Sequence, residues 1–343
     1  MRPNNMLFTF LISSERSGSN LITRLLDGHS NICGPSATYL FRRLIEHYPR
    51  YGNLQHNEHW EALIKDTVAL FASKMGHWNI TLRAEDLLDK VESRALHALL
   101  PHIYEKEAVV SGKEQLFVID NHVYLFSPFL DAFFDHPKIV YLVRDPRDMA
   151  LSWKKSSIKR GCVIRAAETW KQDQAASLTL YRVLQSTGGI ICIRYEDLIR
   201  DTPNMLASIC AFMGVSFEAK MLELDNKQRT KHHAFKVSEW ENVHKPVIQT
   251  NYNKYKSELS AFEIRFVEAL CKDEMQAFGY KPEYERTDSI EELKQKILPL
   301  ELYDKPDFQK VDVATRKKLA ERVDVLNRMK KRPIKPVFTK TIN

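Results

Sequence analysis

The chain is poor in long apolar runs. Across 343 residues the longest strongly apolar stretch is Met6–Ile12, interrupted by Thr9, against the ~20 residues that a membrane-spanning helix needs. The N-terminus has one early Arg, that short stretch, then the charged pair Glu15-Arg16, with no small-residue cleavage site, so no secretory leader is expected. Eleven glycines and fourteen prolines are too few for collagen-like or low-complexity chains. The five cysteines (Cys33, Cys162, Cys192, Cys210, Cys271) are scattered, with no CxxC or Cys/His ligand spacing. Core thiols in a reducing compartment are the expectation, with no structural zinc. These absences favour a cytoplasmic protein. Hydrophobic content of 44% and charged content of 28% are those of a chain that buries a sizeable core.

The formal net charge of +7 is unevenly spread. Residues 288–343 hold 14 Lys+Arg against 9 Asp+Glu, which leaves the preceding residues at only +2. A groove for nucleic-acid backbones is therefore not demanded. The tail reads as a solvated basic helix, with an anionic surface as the alternative partner.

Buried-strand patterns alternate with helical ones. Met6–Ser13, Leu116–Ile119, Lys138–Val143 and Gly189–Arg194 are short, apolar and rich in β-branched residues, as expected of strands covered on both faces. Helical spacing follows Ser19 up to Gly28 and recurs through residues 40–110, 147–187, 203–213 and 260–279. The pattern predicts an α/β fold: a central parallel sheet with helices on both faces and right-handed crossovers. After Pro282, Ile290–Ile297 and Ala314–Met329 read as charged helices around a linker holding Pro299 and Pro306. The expected organisation is one domain over 1–285, with 35–110 as a helical insertion, and a basic helical extension over 286–343.

In such a sheet, ligands bind beyond the carboxyl ends of the strands. After the first strand comes Ser13-Ser14-Glu15-Arg16-Ser17-Gly18-Ser19-Asn20. A glycine and small hydroxyl residues at a helix N-terminus leave backbone N–H groups facing an anion, and Arg16 adds charge. It is not a Walker A loop: GxxxxGK[ST] is absent, which disfavours a Mg²⁺-dependent P-loop kinase. A plain strand-to-helix turn is the competing reading. After the third strand comes Arg144-Asp145-Pro146-Arg147-Asp148, with Ser152 two helical turns past Arg144. Arg144 and Ser152 could close on one anion; an Arg/Asp network capping the helix is the alternative. Two anion cradles on one sheet edge suggest a nucleotide with phosphates at both ends.

The pairing of these two segments resembles the sulfotransferases that use 3′-phosphoadenosine 5′-phosphosulfate (PAPS). Phe10–Asn31 is similar to their 5′-phosphosulfate loop and Tyr141–Ser152 to their 3′-phosphate segment. Arg194-Tyr195-Glu196-Asp197-Leu198 and Leu259-Ser260 with Glu263 fit more weakly. The resemblance runs from residue 6 to about 284 and covers neither 35–110 nor the tail. It implies a P-loop-like sulfotransferase fold, with Arg16, Ser17, Gly18, Ser19, Asn20 and Leu21 at the 5′-phosphosulfate. There Arg16 would stabilise charge on the departing phosphate. Arg144 and Ser152 would hold the 3′-phosphate, Tyr195 would lie near the adenine, and Tyr255-Lys256 would stand where the family's closing loop carries Trp-Lys.

For the base, the resemblance points to His122, which precedes Arg144 by 22 residues, ahead of Glu15, Asp120 or His29. Two departures stand out. The cytosolic branch has a Lys two residues before its His, where this chain has Asp120. Other branches place a Glu after the first helix, where Cys33–Thr38 has no carboxylate. The implied activity is metal-free transfer of a sulfuryl group from PAPS to a hydroxyl or amine of a small-molecule, carbohydrate or lipid acceptor, releasing adenosine 3′,5′-bisphosphate. A nucleotide-responsive binding protein without catalysis is the alternative from another class. The sequence leaves room for a homo-oligomer. Of the aromatic and histidine-rich run His47, Tyr48, Tyr51, His56, His59 and Trp60, core packing is the expected role.

Overall fold

The computed structural model describes residues 6–74, 76–134, 137–156, 159, 161–223, 246–285, 288–301 and 313–335. Five strands, β1 (Leu7–Ile12), β2 (Ile32–Cys33), β3 (Gln115–Ile119), β4 (Lys138–Val143) and β5 (Ile190–Arg194), form one all-parallel sheet in the order β2-β3-β1-β4-β5. Four lie where their apolar runs predict. The fifth, β2, pairs through only two residues, too short for any periodicity to mark it.

The apolar runs are continuous because successive residues serve two different cores. Phe8, Phe10 and Ile12 face one side with Leu116, Val118, Ile139, Tyr141 and Val143. Leu11, Phe117, Ile119, Val140 and Leu142 face the other. The second side is covered by α1 (Ser19–Asp27), α9 (Tyr195–Arg200) and α10 (Thr202–Met213), through residues such as Ile22, Leu26, Leu198 and Ile209. The first side carries α2 (Leu40–His47), α3 (Asn57–Ala72), α4 (Glu85–Leu88), α5 (Leu96–Val110), α6 (Ser127–Phe133), α7 (Pro146–Lys155) and α8 (Val163–Leu184).

The remaining helices are α11 (Tyr255–Glu258), α12 (Ala261–Leu270), α13 (Lys272–Ala277), α14 (Ile290–Ile297) and α15 (Val313–Lys331). The periodic stretch 260–279 is thus two helices that meet at Cys271. Ser260 and Glu263, noted above as a weak motif, form a reciprocal capping box at the start of α12. All five cysteines are free.

The tail is less solvated than its charge suggests. Leu293 and Ile297 of α14, with Val325 and Met329 of α15, are buried in the first core. Asp66 of α3 is fully buried and accepts from Tyr51 Oη at 2.9 Å, Arg328 Nε at 2.8 Å and Arg332 Nε at 3.1 Å. Each carboxylate oxygen therefore takes an arginine fork, the arrangement a buried charge requires. Pro306 lies outside the described residues.

Asp66→Asn removes the charge but keeps the shape. We expect it to cost about 2–3 kcal/mol, the range of charge-assisted hydrogen bonds, and to expose Arg316, Lys317 and Lys318 to trypsin. Urea unfolding and limited proteolysis check both; unchanged stability would show that the ion cluster contributes nothing net.

Candidate active site

The chain order reverses direction across β1, whose neighbours are β3 and β4, so a crevice opens above the carboxyl ends of these three strands. β1 leads into Ser13 and Ser14, both buried, and then into a tight turn. Arg16 (φ 69°) and Gly18 (φ 97°) are left-handed on either side of Ser17. Alternation of this kind turns successive N–H groups toward one point. Helix α1 follows with no side-chain cap and no acid in its first turn. The Ser17 hydroxyl is buried with no partner among the described residues. An anion would satisfy all of these donors at once.

A side chain at Gly18 would collide with Tyr195. A Cβ there would lie 2.5 Å from Cδ2 and 2.7 Å from Cε2 of Tyr195, beyond the strain of its backbone angle. Tyr195, the first residue of α9, is buried against this glycine. The Arg144 guanidinium lies over the ring, 4.5 Å from its centroid, and the Tyr195 Oη accepts from Asn251 Nδ2 at 2.8 Å. Arg144 donates through Nη1 to the carbonyl of Arg16 at 2.9 Å. Its Nε is buried and unpartnered among the described residues. The side chain of Arg16 turns to Ser152, Nε to Oγ at 3.1 Å. Arg16 is therefore the hub: Arg144 holds its backbone and Ser152 its side chain.

The alternative reading of the Arg144–Asp148 segment, an Arg/Asp network capping the helix, describes Asp145, Arg147 and Asp148. Asp145 caps α7 through Arg147 N and binds the Arg147 guanidinium at 2.7 Å and 3.0 Å; Arg147 also reaches Glu268 at 2.6 Å. Asp148 accepts from the backbone of Asn253 and Tyr255 at 2.6 Å and 3.1 Å. These charges are consumed internally. Arg144 alone of the segment's arginines faces the β1 turn.

The third strand end brings Asp120-Asn121-His122 beside the same turn, Asn121 Oδ1 accepting from Ser13 Oγ at 3.3 Å. The His122 ring lies between Arg42 of α2, whose Nη1 meets Nδ1, and Asp173 of α8, whose Oδ1 is 3.7 Å from Nε2. Burial first, then Arg42 and Arg43, push His122 down to about 4. Asp173 also accepts from Ser14 Oγ and Tyr124 Oη, each at 2.8 Å; burial raises its carboxyl above the usual range. Asp120 takes the backbone N–H of Arg42 on Oδ2 at 3.2 Å. Burial lifts it to about 6, against the pull of Arg42.

A model of the sulfotransferase family matches residues 9–219. The chain belongs to the sulfotransferase family. The fold agrees with solved sulfotransferases. The sulfotransferase domain from the curacin biosynthetic pathway superposes with a TM-score of 0.57 at 18% identity, over 81% of this chain and 99% of that one. The sulfotransferase domain from the Synechococcus PCC 7002 olefin synthase gives 0.55 at 20% identity, over 81% and 96%. Among curated proteins no sequence matches.

Against the expected sulfotransferase residues, the structure brings Arg16, Ser17, Gly18, Ser19, Asn20, Leu21, Arg144, Ser152 and Tyr195 to one edge, with His122 beside them. Tyr255 and Lys256 are placed differently. Tyr255 is buried under the Arg147 guanidinium, 4.3 Å from the ring centroid, with its Oη on Glu283 at 2.9 Å; Lys256 pairs with Glu283 at 2.7 Å. Of the other base candidates, two are spent: Glu15 pairs with Lys159, and His29 uses both nitrogens, on Ser216 O and Asn31 N. Arg42, Asp173 and Asn251 are site neighbours that sequence reading misses. Each lies outside a recognisable motif, joined to the site only by folding.

Gly18→Ala should strain the turn and displace Tyr195, costing about 1–3 kcal/mol and most of the affinity for nucleotide. The double variant with Tyr195→Leu should recover part of the stability, because the clash is removed. Calorimetric unfolding tests this; additive losses would show that the two residues do not touch.

Proposed function

We propose that this protein transfers a sulfuryl group from PAPS to a hydroxyl of a small-molecule, carbohydrate or lipid acceptor. The observation that carries the reading is the pair of anion-directed features joined by Arg16. One is the uncapped N-terminus of α1 with the partnerless Ser17 hydroxyl; the other is the Arg144 guanidinium with its partnerless Nε. A nucleotide bearing a 5′-phosphosulfate and a 3′-phosphate has an anion for each.

PAPS, when bound, supplies an activated sulfuryl group. The chain's residues do the rest. The N–H groups of Ser17, Gly18, Ser19 and Asn20 would hold the 5′ end, and Arg16 would face the oxygen on which charge accumulates, fixed in advance by Ser152 and Arg144. Arg144 would hold the 3′-phosphate, and Tyr195 would fix Arg144 by stacking. Removal of the acceptor's proton falls to the Asp120–His122 segment, which enters the crevice from the neighbouring strand. Helices α2 to α5, with their aromatic residues, stand on the same side and would shape the acceptor site. Positive charge comes from fixed arginines and a helix end, so no metal is assigned a role.

Calorimetric titration with adenosine 3′,5′-bisphosphate and with AMP should show the bisphosphate bound roughly 10- to 150-fold more tightly, about 1.5–3 kcal/mol for the added charge-assisted bonds. Arg144→Ala should erase that advantage. Equal binding of the two nucleotides by the wild type would sink the assignment.

A further inference from the structure

His122 has no lone pair to offer. An arginine can only donate, so the contact with Arg42 makes Nδ1 the acceptor. The proton of the neutral ring then sits on Nε2, which faces Asp173. Two residues earlier, Asp120 is 1% exposed: its carboxylate takes the Arg42 backbone N–H on Oδ2 and is also stabilised by the His122 backbone N–H, while Oδ1 is buried with no hydrogen bond of good geometry among the described residues. A carboxylate oxygen left open in a buried site is costly unless something fills it. Arg42 Nε is likewise buried and without a partner there. A hydroxyl group satisfies both: it donates to the carboxylate and accepts from the guanidinium.

Resting on the sulfuryl-transfer reading above, we propose that Asp120, not His122, takes the proton of the acceptor hydroxyl, and that Arg42 is the positioning residue that holds both. Asp120 Oδ1 receives the hydroxyl proton as the acceptor oxygen's electron pair forms the new O–S bond. The bond between sulfur and the bridging oxygen breaks, and its electron pair stays on the 5′-phosphate oxygen opposite Arg16. The protonated Asp120 returns its proton to solvent once the product leaves. Burial first, and then Arg42, keep His122 neutral; the Arg42 contact at Nδ1 leaves Nε2–H facing Asp173, and the ring forms a wall of the site. In this arrangement Arg42 supplies the cation that the Asp at position 120 removed from the sequence pattern.

The charged and titratable groups around Asp120 are Arg42 and Arg43 of α2, Tyr39 before it, Tyr104 of α5, Arg322 of α15 and neighbouring His122. The three arginines favour the carboxylate and burial opposes it. Protonation on the acid side removes the base, so the rate should rise with pH through about 6 and level off above.

The test uses the full chain, labelled PAPS, and a panel of alcohols, phenols and sugars in water. Asp120→Asn should lower turnover about 10²–10⁴-fold, the size of a lost general base, and leave bisphosphate affinity unchanged. Asp120→Glu should restore part of the rate. His122→Gln, whatever it does to the rate, should keep the same acid limb, which serves as the test even if Asp120→Asn fails to fold. Nitrogen-15 NMR of the nucleotide-free chain should show the Nε2–H tautomer, and Arg42→Met should move the His122 titration from about 4 toward the ordinary 6.5. The proposal is overturned if Asp120→Asn turns over at the wild-type rate, if His122→Gln abolishes the acid limb, or if the free chain carries Nδ1–H. A wild type that binds the bisphosphate but transfers to nothing overturns this proposal and leaves nucleotide binding standing; one that does not bind it overturns both.

Discussion

Between Gly18 and Tyr195 there is no room for a methyl group, and much of the site follows from that contact. The ring fixes where α1 begins, because the glycine caps it from a left-handed conformation. The same ring carries the Arg144 guanidinium, which in turn grips the Arg16 carbonyl. Strand β1, helix α9 and the end of β4 are thus tied together by stacking and one charge-assisted bond. Both run through the buried Arg144 guanidinium, which is held on the ring and on the carbonyl together, so the donors are oriented before any anion arrives.

The division of charge across Arg144–Asp148 shows how a nearly neutral body can still present a cationic edge. Arg147 sits between Asp145 and Glu268 and contributes architecture. Asp148 takes two backbone N–H groups and anchors the segment that carries Asn253 and Tyr255. Of two arginines three residues apart, only Arg144 turns toward the crevice. The local field there comes from Arg16, Arg144, Arg42 and a helix end, in a chain whose first 287 residues carry a net charge of only +2. Net charge is a poor guide to such a site, because the field is set by where the charges sit and which way they face.

Strands whose two faces serve two cores are readable from sequence, since every residue in the run is apolar; β1, β3, β4 and β5 are of this kind. The two-residue β2 has no pattern to read. The turn of Arg16–Leu21 and the Arg144–Ser152 segment were legible because each is local: strand end, special backbone and helix start lie within a few residues. The cluster around His122 was not. Its partners Arg42 and Asp173 come from α2 and α8, 80 and 51 positions away in sequence, and neither carries a motif. Tyr255 shows the converse: a position that resembles a site residue is occupied here by a core tyrosine clamped by Arg147 and Glu283.

The basic tail belongs to this same structure. Arg322 of α15 donates to the carbonyls of Thr38 at 2.7 Å and Leu70 at 3.3 Å. The residue after Thr38, Tyr39, is left-handed at φ 57°, a conformation that costs a non-glycine residue on the order of 1–3 kcal/mol. It persists because its neighbours hold it: Arg322 on the carbonyl before it, and Arg42 5.2 Å from the centre of its ring. Arg42 lies in the first turn of the helix that Tyr39 begins. Its contact with His122 therefore depends on a turn braced from the far end of the chain, and the docking of α15 on Asp66 sets where that brace can reach. Burial lowers the affinity of Arg322 for its proton, and Arg43 and Arg42 add to that. Three arginines, Arg42, Arg43 and Arg322, are gathered near Asp120, and their mutual repulsion is shared out: Arg43 also pairs with Glu46 at 2.9 Å, and Arg42 also interacts with Asp173.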